Sequence, residues 1–375
     1  MRILRVVHRL YPPKIGGLSF YAHMLSAEQA RRGHKVTVYT TLEDKSPTHE
    51  YKDGYEIFRF RPLVWPWENP ITFSMLGVLL SRDERDYDIL DAHSHLMFTT
   101  NLSALKRHIS RKPLLITNHG FRVSRGRIVD MAQNAYFASV GKWTLRQADY
   151  VICLTQKERV KTVAVGVPRD KTVVIPNGVD THLFCPKSRS QPIPLSILWT
   201  GRYVKEKGLS HLLQAARIVT KELPNSKFTL VGYGDQLPEL LDLRRQLGLE
   251  NNVTFLGPRT HEQIATLLNN HTLFALPSLS EGFPSSVLEA MSCEKPVVVT
   301  SGIGLEEVVG DSGLYVPPGN AEALATSITT ILRDRKLAIS LGRRGRERAL
   351  KHYDWQNVVG AVDDLSEKAV QERGA

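Results

Sequence analysis

Short β-rich apolar runs alternate with amphipathic helical windows along nearly the whole chain, and the alternation stops once and then restarts. Such alternation is the signature of parallel sheets covered by helices on both faces, so two doubly wound α/β units are predicted. Strands are expected at residues 3–7, 36–40, 57–60, 88–92, 114–117, 150–154 and 172–175, with helices near 19–32, 102–108, 131–147 and 156–165 between several of them. From about residue 180 to 194, Pro186, Pro192 and Pro194 break any period and mark a linker. Strands return at 196–200, 228–231, 253–256, 273–276 and 297–300, with helices near 210–221, 237–247, 262–268, 286–291 and 321–333. Helical windows at 337–351 and 355–372 close the chain. A length of 375 residues exceeds what one hydrophobic core usually serves, which agrees with two units.

Composition narrows the class. No apolar run approaches the roughly 18 to 20 residues that a membrane span needs, and the longest candidate, Ile71 to Leu80, is too short. His8 and Arg9 interrupt the N-terminal apolar stretch before a signal-peptide core forms, so the chain reads as cytoplasmic. Cys153, Cys185 and Cys293 are far apart, show no metal-ligand spacing and read as packing residues in a reducing compartment. The net charge of +11 is unevenly placed: residues 1–187 hold 28 Lys and Arg against 17 Asp and Glu, while residues 188–375 hold 21 of each. The basic half is expected to meet an anionic partner, a phosphorylated acceptor or an acidic membrane surface, and no nucleic acid. The plain alternative is a solubilising surface.

Open α/β sheets bind ligands at the carboxyl ends of their strands, so the loops that follow strands carry the chemistry. The richest is Ser280-Glu281-Gly282-Phe283-Pro284-Ser285-Ser286-Val287-Leu288-Glu289. Pro284 suits the first turn of a helix, which places Glu281 in the loop before it and Glu289 inside it. At about 1.5 Å per residue the two carboxylates are expected roughly 10 Å apart. A retaining hydrolase pair wants about 5 Å. The longer spacing suits two hydroxyl-bearing groups of one extended ligand, with a phosphate at the helix N-terminus between them. Alternatively, Glu281 caps the helix and Glu289 is an ordinary solvated residue of it.

The loop Thr200-Gly201-Arg202-Tyr203-Val204-Lys205-Glu206-Lys207-Gly208 joins a strand to a helix. Its glycines permit unusual backbone conformations, and Arg202 and Lys207 place two cations over the helix N-terminus, which together describe a diphosphate site. Gly232-Tyr233-Gly234 and Gly257-Pro258-Arg259 follow the next two strands and are expected on the same rim. In the first half, the loop Tyr11-Pro12-Pro13-Lys14-Ile15-Gly16-Gly17 lacks the glycine spacing of a dinucleotide-binding turn, which argues against a nicotinamide or flavin enzyme. Gly16 and Gly17 still allow close approach of backbone to a ligand. His119, in Asn118-His119-Gly120 after a strand, is the leading candidate to face a crevice, with His93 the second. A zinc site is not expected, because no acidic or cysteine partner has ligand spacing to these histidines.

These segments resemble those of the family 4 glycosyltransferases, the retaining, group 1 nucleotide-sugar class of the GT-B fold. The resemblance rests on Gly16-Gly17, His119-Gly120, Ile175-Pro176-Asn177-Gly178-Val179-Asp180, Gly201-Arg202 with Lys207-Gly208, and Glu281 with Glu289. It implies two facing Rossmann-like domains with a cleft between them: an acceptor-binding domain at 1–185, a nucleotide-sugar-binding domain at 186–353, and a helix at 354–375 that crosses back to the first. By likeness, Arg202 and Lys207 neutralise the donor diphosphate, Glu289 holds the ribose hydroxyls, and Glu281 contacts the transferred sugar. His119 faces that sugar, and backbone at Gly16 and Gly17 borders phosphates and acceptor. Gly232, Gly257, Arg259, Gly282, Phe283 and Pro284 complete the expected donor rim, and no metal or other cofactor is expected, since cations and helix dipole supply the charge stabilisation.

The likeness has two departures. Ser301-Gly302-Ile303-Gly304 stands where many relatives carry an Asp-Val-Gly-Gly turn, and Phe121 to Arg127 carries three arginines, of which Arg125 and Arg127 are expected to meet an acceptor phosphate. His93 joins them as an acceptor-side candidate. The activity implied is hexosyl transfer, with retention, from a UDP- or GDP-sugar to a hydroxyl acceptor that is phosphorylated or lipid-linked. The alternatives are a nucleotide-sugar 2-epimerase of the same fold and a non-catalytic nucleotide-sugar-binding protein.

Overall fold

The computed structural model describes the chain except residues 13–15, 44–45, 67–68, 121–126, 188–191 and 375, and without the side chains of residues 127–130 and 132. Two compact units form, one from residues 1–177 with 355–375 and the other from 178–354.

The first unit is built on strands β1 (Arg2–Val6), β2 (Lys35–Thr41), β3 (His49–Lys52), β4 (Tyr55–Phe60), β5 (Ile89–His93), β6 (Leu114–Thr117), β7 (Tyr150–Cys153) and β8 (Thr172–Val174). They lie in the order β3-β4-β2-β1-β5-β6-β7-β8. All neighbours run parallel except the β3–β4 hairpin. Between them come α1 (Gly17–Arg31), α2 (Phe73–Ser81), α3 (Phe98–Ile109), α4 (Arg127–Tyr136), α5 (Lys142–Gln147) and α6 (Gln156–Ala164). Residues of β1, β5, β6 and β7 are buried on both faces, as the near-continuous apolar runs require of a sheet covered twice.

The second unit holds β9 (Ser196–Arg202), β10 (Lys227–Tyr233), β11 (Val253–Leu256), β12 (Leu273–Leu276), β13 (Val297–Thr300) and β14 (Gly313–Val316), all parallel, in the order β11-β10-β9-β12-β13-β14. Its helices are α7 (Leu209–Glu222), α8 (Leu237–Gln246), α9 (His261–Asn270), α10 (Ser285–Ser292), α11 (Leu305–Val309), α12 (Ala321–Arg333) and α13 (Arg335–His352). Their starts are set locally: Thr260 and Gln263 form a capping box for α9, Asn320 caps α12, and Asp334 caps α13. The last helix, α14 (Trp355–Gly374), belongs to the first unit, where Trp355, Val358, Val359 and Val362 join the core beside Tyr21 and Leu25.

Two expectations shift, and one run left unassigned gains an element. The anticipated linker at 180–194 belongs to the second unit, which begins at Gly178 rather than at 186. Val179 N donates to Tyr353 O at 2.7 Å, and Arg346 of α13 donates to Phe184 O at 2.9 Å, so a segment with no sequence period is tied down by distant partners. The apolar run at 71–80 forms surface helix α2, with Phe73 and Val78 exposed. The single helix anticipated at 131–147 is divided by a wider turn over Phe137–Gly141. No helix among the described residues is long and apolar enough to cross a membrane.

Candidate active site

In the second unit the chain winds outward from β9 through β10 to β11, then returns to lay β12, β13 and β14 on the other side of β9. This reversal leaves a crevice between the carboxyl ends of β9 and β12, the place where doubly wound sheets hold ligands. Arg202 through Gly208 leave β9 there, and Pro277 through Pro284 leave β12.

The two loops are interlocked. Leu279 N donates to Glu206 O at 2.7 Å. Gly208 adopts the left-handed conformation (φ 64°), and a Cβ there would fall 2.1 Å from Pro277 O, so only glycine permits this approach. Lys207 Nζ lies 2.6 Å from Glu281 Oε1, which also accepts from Ser278 Oγ at 2.6 Å. The pair is nearly withdrawn from water, with side-chain exposures of 19% and 7%. Glu281 therefore does not cap the following helix. Pro284 precedes α10, and no side chain caps that helix start.

Glu289 sits within α10, half-buried, and burial pushes its carboxyl up to about 7. Neither a hydrogen bond nor an ion pair engages its carboxylate among the described residues. A carboxylate desolvated without a partner is costly unless a ligand supplies donors, and two adjacent hydroxyls would do so. Arg202 ends β9 in register with Tyr233 of β10, and its side chain is exposed without an ion pair among the described residues. At Gly232 (φ 152°) a Cβ would stand 1.8 Å from Gly201 O, so this glycine serves the close packing of β10 on β9. Arg259 donates back to Gly257 O and Pro258 O at 3.2 and 3.0 Å and remains exposed on the rim. Gly282 is exposed, whereas Phe283 packs edge-on to Tyr353 at 6.2 Å and Pro284 is buried. The last two shape the loop. Sequence reasoning missed Tyr203, whose hydroxyl lies 2.8 Å from both Leu230 O and Leu256 O and ties the ends of β10 and β11 together.

In the first unit the corresponding reversal falls between β1 and β5. His93 ends β5 and His119 follows β6, with His93 Nδ1 and His119 Nε2 3.1 Å apart. His93 is fully buried and its Nε2 lies 3.5 Å from Asp91 Oδ2, so it cannot meet an acceptor as expected and instead orients His119. Burial would raise Asp91, but Arg5, with Nε 2.7 Å away, and His93 more than offset it and hold the carboxyl at about 2. Burial, with His93 and His8, drives His119 well below the usual histidine range, against the pull of Asp91. Tyr21 packs edge-on against both rings, at 5.6 Å from His93 and 5.1 Å from His119.

The His119 turn has a second anchor that the sequence reading overlooked. Glu158 accepts from Gly120 N and from Leu154 N, each at 2.7 Å, and burial pushes its carboxyl up to about 7. The signal was present in Thr155-Gln156-Lys157-Glu158, a capping-box spacing in which Thr155 caps α6 while the glutamate reaches the β6 loop. Gly16 and Gly17 are exposed at the start of α1, and a Cβ on either meets no atom within 4 Å. Arg125 lies outside the described residues, and Arg127 opens α4 with its side chain outside them. No group of three or more His, Cys, Asp or Glu among the described residues is placed to hold a metal.

Comparison with known proteins identifies the family. Residues 15–183 match the family described as Glycosyltransferase Family 4, and residues 186–348 match Glycosyl transferases group 1. The chain is 28% identical to an uncharacterised glycosyltransferase of Methanocaldococcus jannaschii over 97% of each chain. It is 27% identical to the D-inositol 3-phosphate glycosyltransferase of Kineococcus radiotolerans, over 96% of this chain and 92% of that one. Among solved structures, Anabaena HepE in complex with UDP and glucose superposes with a TM-score of 0.80 at 21% identity, covering 98% of this chain and 100% of that one.

Proposed function

The chain belongs to the family 4, group 1 glycosyltransferases, hexosyl-transferring enzymes with two parallel-sheet α/β units, and from that premise we propose that it moves a sugar from a nucleoside diphosphate to a hydroxyl acceptor with retention and without a metal. The observation that carries the donor assignment is the Lys207–Glu281 pair at the β9/β12 crevice, with Arg202 at the end of β9. A donor diphosphate entering this crevice takes Lys207 and Arg202 as counter-charges. Glu281 is then left to accept from sugar hydroxyls, while Glu289 receives those of the ribose. HepE, with UDP and glucose in its structure, supports a nucleoside diphosphate sugar of this kind. The relative named for inositol 3-phosphate supports a phosphorylated acceptor.

Departure of the diphosphate builds negative charge on the leaving oxygen and positive charge at the anomeric carbon. Lys207, Arg202 and the uncapped start of α10 address the first. The acceptor hydroxyl attacks the face that the diphosphate leaves, its oxygen bonds to the anomeric carbon, and its proton passes to the departing phosphate oxygen. His119, held neutral, contributes no charge of its own.

The test is to incubate the protein with UDP- and GDP-hexoses, with and without lipid extract, and to follow nucleoside diphosphate release and the anomeric configuration of the product. Release that requires acceptor, gives a product of the donor's configuration and persists in EDTA is expected. Free sugar isomers without an acceptor, an inverted product, or loss of turnover in EDTA would each overturn the corresponding part of the reading.

A further inference from the structure

Three loops of the first unit enclose a hollow of about 610 Å3 lined by Arg9, Leu42, Glu43, Arg61 and Trp65. Arg9 follows β1, Leu42 and Glu43 follow β2, and Arg61 and Trp65 follow β4. These three strands are adjacent and parallel, so the hollow sits at the ligand-binding edge of the sheet. Its walls are fastened by Leu42 N donating to Phe60 O and Leu63 N donating to Ile71 O, each at 2.8 Å.

The lining is selective in charge. The Arg9 guanidinium lies 4.6 Å over the Trp65 ring, and its Nε is 3.2 Å from Glu43 Oε1, so stacking and ion pair together fix its plane. Arg61 is exposed and has no acidic partner among the described residues. Trp65 is 39% exposed, which leaves apolar indole surface beside two guanidinium groups and one carboxylate. Planar guanidinium groups bind phosphate and carboxylate oxygens in pairs, and an indole next to them covers the apolar face of a sugar or cyclitol ring.

We propose that this hollow receives the anionic group, phosphate or carboxylate, of a hydroxylated ring compound that serves as acceptor, with Arg61 and Arg9 as its donors and Trp65 against its ring. The inference rests on the glycosyl-transfer reading above and locates the acceptor's charge at the ends of β1, β2 and β4. The unequal charge of the chain, with its whole excess in residues 1–187, has the sign this site requires.

The test is a binding measurement that needs no turnover. The indole N–H resonance of Trp65 in the 15N-labelled full chain, identified by its loss in Trp65→Phe, is followed during titration with glucose 6-phosphate, glucuronate and glucose. A saturable shift with glucose 6-phosphate or glucuronate and none with glucose is expected, and the arm that responds names the anion. Arg61→Ala should weaken that binding about tenfold or more, with Arg61→Lys intermediate. A resonance silent to both anions, an equal response to glucose, or unchanged affinity in Arg61→Ala overturns the site. Binding here without sugar transfer to any anionic acceptor removes the glycosyl-transfer reading and leaves the site. Transfer to such an acceptor with Trp65 silent removes the site and leaves the reading.

Discussion

Lys207 and Glu281, 74 positions apart in sequence, meet at 2.6 Å where the β9 and β12 loops cross, both side chains largely withdrawn from water. A pair in that environment is expensive to break, because the survivor is left charged and desolvated. Lys207→Ala and Glu281→Gln should therefore each lower Tm and reduce kcat by about a hundredfold or more. The double variant should lose less stability than the two single losses added. Thermal unfolding and steady-state kinetics on the three variants check this. Unimpaired transfer by Lys207→Ala would sink the phosphate assignment.

Glu289 titrates at about 7 because burial penalises its charge. A carboxyl raised in the folded state binds a proton that the unfolded chain has already released, so its contribution to stability is present at low pH and falls as pH rises from about 4.3 toward 7. Glu289→Gln should be more stable than the parent above pH 7, with the difference vanishing near pH 4. It should also bind donor about tenfold more weakly, through loss of a charged acceptor. Calorimetry across pH and donor titration measure both. A variant neutral in both respects would identify Glu289 as an ordinary helix residue.

His119 lies far below its usual pKa, so it stays neutral through the range in which a free histidine titrates. Below about 6.5 the unfolded chain takes up a proton there that the folded chain refuses, and stability is lost as pH falls. His119→Gln should flatten that acid-side loss and lower kcat. Asp91→Asn should shift the His119 imidazole nitrogen resonances in NMR, because Asp91 reaches His119 through His93. Unchanged resonances would contradict the orienting role of His93.

Glu158 serves two backbone N–H groups with one carboxyl, at Gly120 and Leu154. Gln in its place keeps one acceptor oxygen and turns an amide N–H toward the other donor, leaving a buried clash of donors. Glu158→Gln should cost about 1–3 kcal/mol of stability. It should also lower kcat more than donor KM, since it loosens the His119 turn and leaves the second unit intact. Equal changes in both constants would argue for a general folding defect.

Much of this was legible from residue order. Strands β1, β2 and β4 to β13 and most of the helices fall within a few residues of the positions their periodicity predicts, because burial on both faces and helical amphipathicity are properties of neighbouring residues. β3, β14, α2 and α11 went unread: β3, β14 and α11 are four or five residues long, β3 and β14 carry exposed or half-buried residues that blur the apolar signal, and α2 reads as an apolar run. Arg202, Lys207 and Glu281 were visible because they punctuate strand-end segments, where charge has few structural reasons to be, and Glu289 through its spacing from Glu281.

The sequence by itself determined two wound α/β units, which loops bear charge, and where the basic excess lies, since all of these depend on local composition and spacing. Only the tertiary structure decided that Lys207 closes on Glu281, that His93 is buried behind His119, that Glu158 grips the Gly120 turn, and that Arg9 stacks on Trp65. Each of these contacts joins segments that end or follow different strands. Which loops meet is fixed by the order in which strands assemble into the sheet, and that order follows from the packing of the whole unit rather than from any one segment.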